Sequence, residues 1–228
     1  MTQPINRYLD HAVLKPEMTR DEATEQMKIG VRYNVRTICV RPADIELAKD
    51  ISNGTDTQVS CVLAFPHGTA LSAGKADEAR RYIGLGVDEI DMVVNYGFIR
   101  SGLWDLVEED IRAVTALAGG AGVKVKTIFE TACLSISEIA RATEVAVWAQ
   151  ADFVKTSTGF GPGGATKEAV QAMLDAGKGR IGVKPSGGIR DLATAQMFVE
   201  MGATRLGVGS TSTPVICDGA TANQVGGY

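Results

Sequence analysis

Eight short runs of apolar and β-branched residues recur along the chain, separated by segments of helical period, and no other feature restricts the fold as tightly. The runs are LDHAVL (9–14), RTICV (36–40), QVSCVLA (58–64), EIDMVVN (89–95), VKVKTIF (123–129), DFVKTS (152–157), RIGVKP (180–185) and TRLGVGS (204–210). The segment LVEEDIRAVTAL (106–117) places Leu106, Ile111, Val114 and Leu117 along one helix side and its charges along the other. Thr19 with Glu22 and Ser135 with Glu138 have the spacing of a capping box, marking two helix starts. Strand and helix in alternation predict a parallel sheet wrapped by helices. Eight such units within 228 residues predict a closed (β/α)8 barrel in one domain, 1–228. A doubly wound open sheet has the same periodicity and remains the alternative. No strand is followed by GxGxxG, so the dinucleotide-binding version of that sheet has little support.

Charge and cysteine usage narrow the class. A formal net charge of −4 gives no electrostatic footprint for nucleic acid. No apolar run reaches membrane-spanning length, and the first residues lack a signal-peptide pattern, so neither membrane association nor export is expected. Cys39, Cys61, Cys133 and Cys217 are scattered without a CxxC pair, which reads as free thiols in a reducing, cytoplasmic setting. The polar, glycine-rich tail, about 218–228, is expected to be mobile.

Two lysines stand out against this background. In a barrel of this kind, reacting groups lie at the C-terminal ends of the strands, and side chains alternate between the barrel interior and the helices. Phe153, Lys155 and Ser157 share one side of the sixth run, and Gly182, Lys184 and Ser186 share one side of the seventh. Val154, Ile181 and Val183 suit the helix-facing side, so both lysines are expected to point inward on adjacent strands. A free lysine with pKa about 10.4 is neutral in roughly one molecule in 2500 at pH 7. A second ammonium close by, with desolvation, lowers that pKa by several units and yields the free amine that attacks carbonyls. The expectation is therefore that Lys184 depresses the pKa of Lys155. Asp91, of the same parity as Val93 and Asn95, would balance the pair if it faces inward. Lys124 and Lys126 lie early in their strand and read as structural, toward the barrel floor or its outside. PSGGIR (185–190) and GVGST (207–211) are small-residue turns after the last two runs, where backbone N–H groups of such barrels hold phosphate; Ser210 or Thr211 adds a hydroxyl.

Taken together, DFVKTSTGF, VKPSGGIR, EIDMVVNYG, VSCVLAFPHG and LDHAVLKPEMT resemble the deoxyribose-phosphate aldolase family, in order from about residue 9 to 212. The resemblance implies a lyase on a (β/α)8 barrel that cleaves 2-deoxy-D-ribose 5-phosphate to acetaldehyde and D-glyceraldehyde 3-phosphate, in deoxyribonucleotide catabolism. It implies that Lys155 forms the Schiff base, that Lys184 tunes it and moves protons, and that Asp91 activates Lys184. It places phosphate against Gly159, Gly187, Gly188 and Ser210, and Cys39 near the aldehyde pocket. It gives Tyr228 a proton-transfer role on a tail that folds over the site. No metal or organic cofactor is implied, and a homodimer is. Ala12 stands where many relatives carry threonine, and Gly209 where they more often carry a serine.

Three rival readings remain open on sequence. A metal-dependent aldolase would need several imidazole or carboxylate ligands, and the chain has only His11 and His67. A phosphate-binding barrel isomerase would leave the lysine pair unexplained. A non-catalytic sugar-phosphate binder would keep the barrel without turnover.

Overall fold

The computed structural model describes residues 3–219. Its eight strands are β1 (Leu9–Val13), β2 (Thr37–Val40), β3 (Gln58–Leu63), β4 (Glu89–Val93), β5 (Lys124–Ile128), β6 (Phe153–Lys155), β7 (Gly182–Lys184) and β8 (Leu206–Gly209). Each falls inside one of the eight apolar runs. All pair in parallel, in the order β7-β6-β5-β4-β3-β2-β1-β8. A parallel bridge between Ser186 and Gly207, with Gly207 N–H donating to Pro185 O at 2.8 Å, joins β7 to β8 and closes the barrel. The open-sheet alternative is thereby excluded.

The helices among the described residues are α1 (Arg20–Arg32), α2 (Ile45–Ser52), α3 (Ser72–Gly84), α4 (Tyr96–Arg100), α5 (Trp104–Ala121), α6 (Ile136–Trp148), α7 (Lys167–Gly177), α8 (Leu192–Met201) and α9 (Ser212–Asp218). Thr19 and Ser135 form the two expected capping boxes, at α1 and α6. The face of α5 differs from expectation. Val107, Ile111, Val114 and Ala118 are buried, whereas Leu106 is exposed. Steps of 4, 3 and 4 residues keep the buried set on one stripe, and Leu106 lies one residue, or about 100°, off it.

The apolar core is the layer between sheet and helices. It takes Ile38, Val59, Ile90, Met92, Val125, Val154, Val183 and Leu206 from the outward side of the strands. The inward side is mostly polar: Asp10, Thr37, Ser60, Glu89, Asp91, Lys126, Lys155 and Lys184 are all buried. Burying ionised groups costs several kcal/mol each unless they are paired. The barrel interior is therefore a network of ion pairs.

Candidate active site

β6 and β7 run in register so that Lys155 lies opposite Lys184. Both are buried, and both amines donate to the same atom, Asp91 Oδ2, at 2.8 Å from Lys155 and 2.7 Å from Lys184. Asp91 comes from β4, and its other oxygen accepts from Lys126 at 2.6 Å. The fold thus brings Lys155, Lys184 and Asp91 into direct contact. Gly207 makes room for this meeting. A Cβ there would lie 2.6 Å from the Ser186 Cβ and 3.2 Å from the Lys184 Cε.

The network continues toward the barrel floor. Lys184 pairs with Asp10 of β1 at 2.5 Å, and Lys126 pairs with Asp10 at 3.3 Å and with Glu89 at 2.5 Å. Arg205, just before β8, donates to Asp10 at 2.7 Å and to both oxygens of Glu89 at 2.7 and 3.0 Å. Its guanidinium stacks 5.0 Å from the centre of the Phe153 ring. Lys126 is therefore inside the barrel and bonded to the same carboxylate as the other two lysines. Its place early in β5 had suggested the floor or the outside. Lys124, one pleat earlier on the same strand, is exposed.

The electrostatics follow from this pairing. Burial works against the charge on Asp91, but Lys126, Lys155 and Lys184 outweigh it and hold the carboxyl well below its ordinary value. Burial likewise disfavours the Lys155 ammonium, yet Asp91 prevails and holds its pKa above the ordinary value. At Lys184 burial prevails over Asp10 and Asp91, and the pKa falls. The expected depression thus lies at Lys184 in the resting site rather than at Lys155. Because the two amines share one oxygen atom, they titrate as a pair.

Two cavities open at the C-terminal end of the barrel. The larger, about 110 Å³, is bounded by Ala12, Lys15, Gly159, Phe160, Gly209 and Ser210. A narrow recess of about 20 Å³ continues inward past Ala12, Gly159 and Gly187 to Lys155, Lys184 and Cys39. Burial, reinforced by Asp91, pushes the Cys39 thiol up, so it stays protonated. Ala12 and Gly209 both line the larger cavity.

The glycine loops meet backbone to backbone. Gly187 and Gly188 have φ of 84° and 83°, and Ala165 N–H donates to Gly187 O at 3.1 Å. A Cβ on Gly164 would lie 2.4 Å from that oxygen. Two further residues, not singled out by sequence, hold the walls. The Glu130 carboxylate accepts from Thr158 Oγ1 at 2.5 Å and is buried beneath the 158–161 loop. The Arg41 guanidinium donates to the carbonyls of Lys15, Pro16 and Met18 and pairs with Asp44, fixing the loop after β1. Glu130 gives no signal beyond its charge next to an apolar run. Arg41 follows β2 directly, where a charge reads as a surface residue.

The two histidines lie apart. His11 points away from the barrel axis, bonded to Thr213 Oγ1 and Gln26 O at 2.8 Å each, and His67 is exposed in the loop after β3. Tyr228 and the tail from residue 220 lie outside the described residues.

Comparison with known proteins agrees with this geometry. The sequence profile of the DeoC/LacD family of aldolases matches residues 6–211. The chain is 43% identical over 220 residues to the deoxyribose-phosphate aldolase of Streptococcus mutans, covering 96% of this chain and 98% of that one. It is 44% identical over 202 residues to the deoxyribose-phosphate aldolase of an Exiguobacterium strain, covering 88% and 90%. Among solved structures, the aldolase QR15 superposes with a TM-score of 0.87 at 37% identity, covering 94% of each chain. The tetrameric deoxyribose phosphate aldolase of Aeropyrum pernix gives 0.85 at 25% identity, covering 94% and 89%. With a lysine pair bridged by one buried carboxylate in a closed eight-stranded barrel, and relatives of this closeness over nearly the whole length, the chain belongs to the DeoC/LacD family of aldolases.

Proposed function

We propose that the protein is a class I aldolase that cleaves 2-deoxy-D-ribose 5-phosphate into acetaldehyde and D-glyceraldehyde 3-phosphate, with Lys155 as the imine-forming residue. The observation that carries this reading is the single oxygen, Asp91 Oδ2, held by both the Lys155 and Lys184 amines. Lys155 has one carboxylate to release, whereas Lys184 is tied to two. Lys155 is therefore freer to leave for a carbonyl. A proton moving from Lys155 through Asp91 to Lys184 leaves the free amine on Lys155, which attacks C1 of the open-chain sugar. Loss of water gives the iminium. A base then takes the proton of the C3 hydroxyl, the C2–C3 bond breaks, and its electron pair moves to the iminium nitrogen. The products are glyceraldehyde 3-phosphate and an enamine, which is protonated at C2 and hydrolysed to acetaldehyde. The iminium nitrogen is the electron sink, so the route needs neither metal nor organic cofactor.

The phosphate of the sugar would lie against Gly159, Gly187 and Ser210, which line the two cavities with Lys15 at the rim, whereas Gly188, expected with them, lines neither. Four unpaired cysteines among the described residues suit a reducing cytoplasm. No helix among those residues is long and apolar enough to cross a membrane. We expect a homodimer, which light scattering would test.

Intact-mass analysis after incubation with acetaldehyde and borohydride, with peptide mapping, tests the chemistry. One reduced ethyl imine on Lys155, absent from Lys155→Ala along with sugar cleavage, is the expected result. Cleavage without an adduct would mean other chemistry. An adduct on Lys184 would reverse the assignment of the two lysines.

A further inference from the structure

The buried network has a fixed composition. Its cations are Lys126, Lys155, Lys184 and Arg205, and its anions are Asp10, Glu89 and Asp91, so four positive groups face three negative ones. All seven are buried. One excess charge in a low-dielectric interior is costly, and loss of one proton removes it. The carboxylates are already ionised and cannot supply that proton. Arg205 cannot supply it either, because a guanidinium stays protonated throughout the accessible pH range. The proton must come from a lysine. Lys126 is held by three carboxylates and Arg205 by two, so the deficit falls on Lys155 and Lys184.

We propose that Arg205 is a positioning residue that sets the proton count of the lysine pair, its permanent charge at the barrel floor making one of the two catalytic lysines neutral. This rests on the aldolase reading of the pair. The coupling is short. Arg205 holds Asp10 Oδ1 while Lys184 holds Asp10 Oδ2, so the two cations compete for one carboxylate. Arg205 also occupies both oxygens of Glu89, one of which Lys126 shares. Without Arg205, three lysines would face three carboxylates, and every lysine could keep its proton.

The other groups facing the pair do not alter the count. Cys39 of β2 is an unionised thiol, and β3 contributes Ser60 and Val62. Arg7 feels the charge of Arg205, and Arg36 and Asp56 lie near Arg7 in turn. They are partly or fully exposed, and their charges are screened by water.

A charge cycle tests this: Arg205→Met, Glu89→Gln and the double variant, each assayed for kcat/KM against pH on 2-deoxyribose 5-phosphate, with borohydride trapping mapped to the lysines. The acid limb reports the amine that must be neutral. Arg205→Met should move it up by on the order of one pH unit, a roughly tenfold loss at a fixed pH below the limb. Glu89→Gln removes a negative charge and should move it down by a similar amount. The double variant, with the parent net charge, should return to the parent limb. Packing damage alone would not move two single variants in opposite directions and restore their sum. Should Arg205→Met fail to fold, the Glu89→Gln limb decides: a downward shift supports the proposal, and an upward or absent shift overturns it. A parent enzyme that cleaves and traps on Lys155 while the limbs stay put overturns this inference alone. A parent that neither cleaves nor traps overturns the aldolase reading with it.

Discussion

Gly207 is where a single added methyl would crowd the seam beside the lysine pair. Its α-carbon faces Ser186 and the Lys184 side chain across the seam that closes the barrel. Gly207→Ala would push against backbone-borne Ser186 and against Lys184 Cε. It should cost about 1–3 kcal/mol of stability by overpacking and slow borohydride trapping at Lys155 by roughly tenfold. Urea unfolding and the trapping rate check the two effects separately, and a parent-like trapping rate would mean Lys184 tolerates the shift. At this scale the sequence is readable where a charge interrupts a buried strand. Lys155, Lys184 and Asp91 each do so, and alternation alone turns them inward. Their partners were not readable. Asp10 precedes Lys184 by more than 170 residues and meets it only because the barrel closes. Arg205 sits before its strand, where a charge reads as surface, and the early place of Lys126 in β5 suits its floor partners Asp10 and Glu89 but does not show that its amine also reaches Asp91.

At the scale of elements, short-range chemistry was legible and loop contact was not. The capping boxes of α1 and α6 follow from side chains three residues apart, and all eight strands follow from their apolar runs. The stripe on α5 slipped by one residue because Leu106 and Val107 are equally apolar and only packing chooses between them. The small-residue turns after β7 and β8 suggest a phosphate cradle, but the contact that the β7 turn makes with the loop after β6 needs the fold. Gly164 and Gly187 touch through bare backbone, and a Cβ on Gly164 would strike the Gly187 carbonyl oxygen. Gly164→Ala must therefore part the loops. If these loops hold phosphate, KM for 2-deoxyribose 5-phosphate should rise by roughly tenfold, about 1.4 kcal/mol of binding, with KM for unphosphorylated 2-deoxyribose little changed. Equal rises for both sugars would place the phosphate elsewhere.

For the whole molecule, the apolar layer outside the charged barrel interior holds one outward-facing group, His11, that sets stability between about pH 6.5 and 4. His11 is buried between β1, α1 and α9, where Nε2 donates to Gln26 O and Nδ1 accepts from the Thr213 hydroxyl. Burial outweighs the Gln26 bond and lowers its pKa from 6.5 to about 4. Below pH 6.5 the unfolded chain takes up a proton that the folded one refuses, so acidification favours unfolding. The stability present above pH 6.5 is lost progressively down to about pH 4, about 3 kcal/mol in all. The ion-paired carboxylates Asp10 and Asp91 act in the same direction but only below the ordinary carboxylate range, because their folded pKa values are lowered from 3.8. Between pH 6.5 and 4 the histidine therefore dominates among groups with lowered values. Urea unfolding of the parent should show stability falling steadily across that window, and His11→Asn, which does not titrate there, should flatten the slope even if it lowers stability at pH 7. An unchanged slope would mean that His11 gains its proton without leaving its two hydrogen bonds, through rotation of the Thr213 hydroxyl into an accepting orientation.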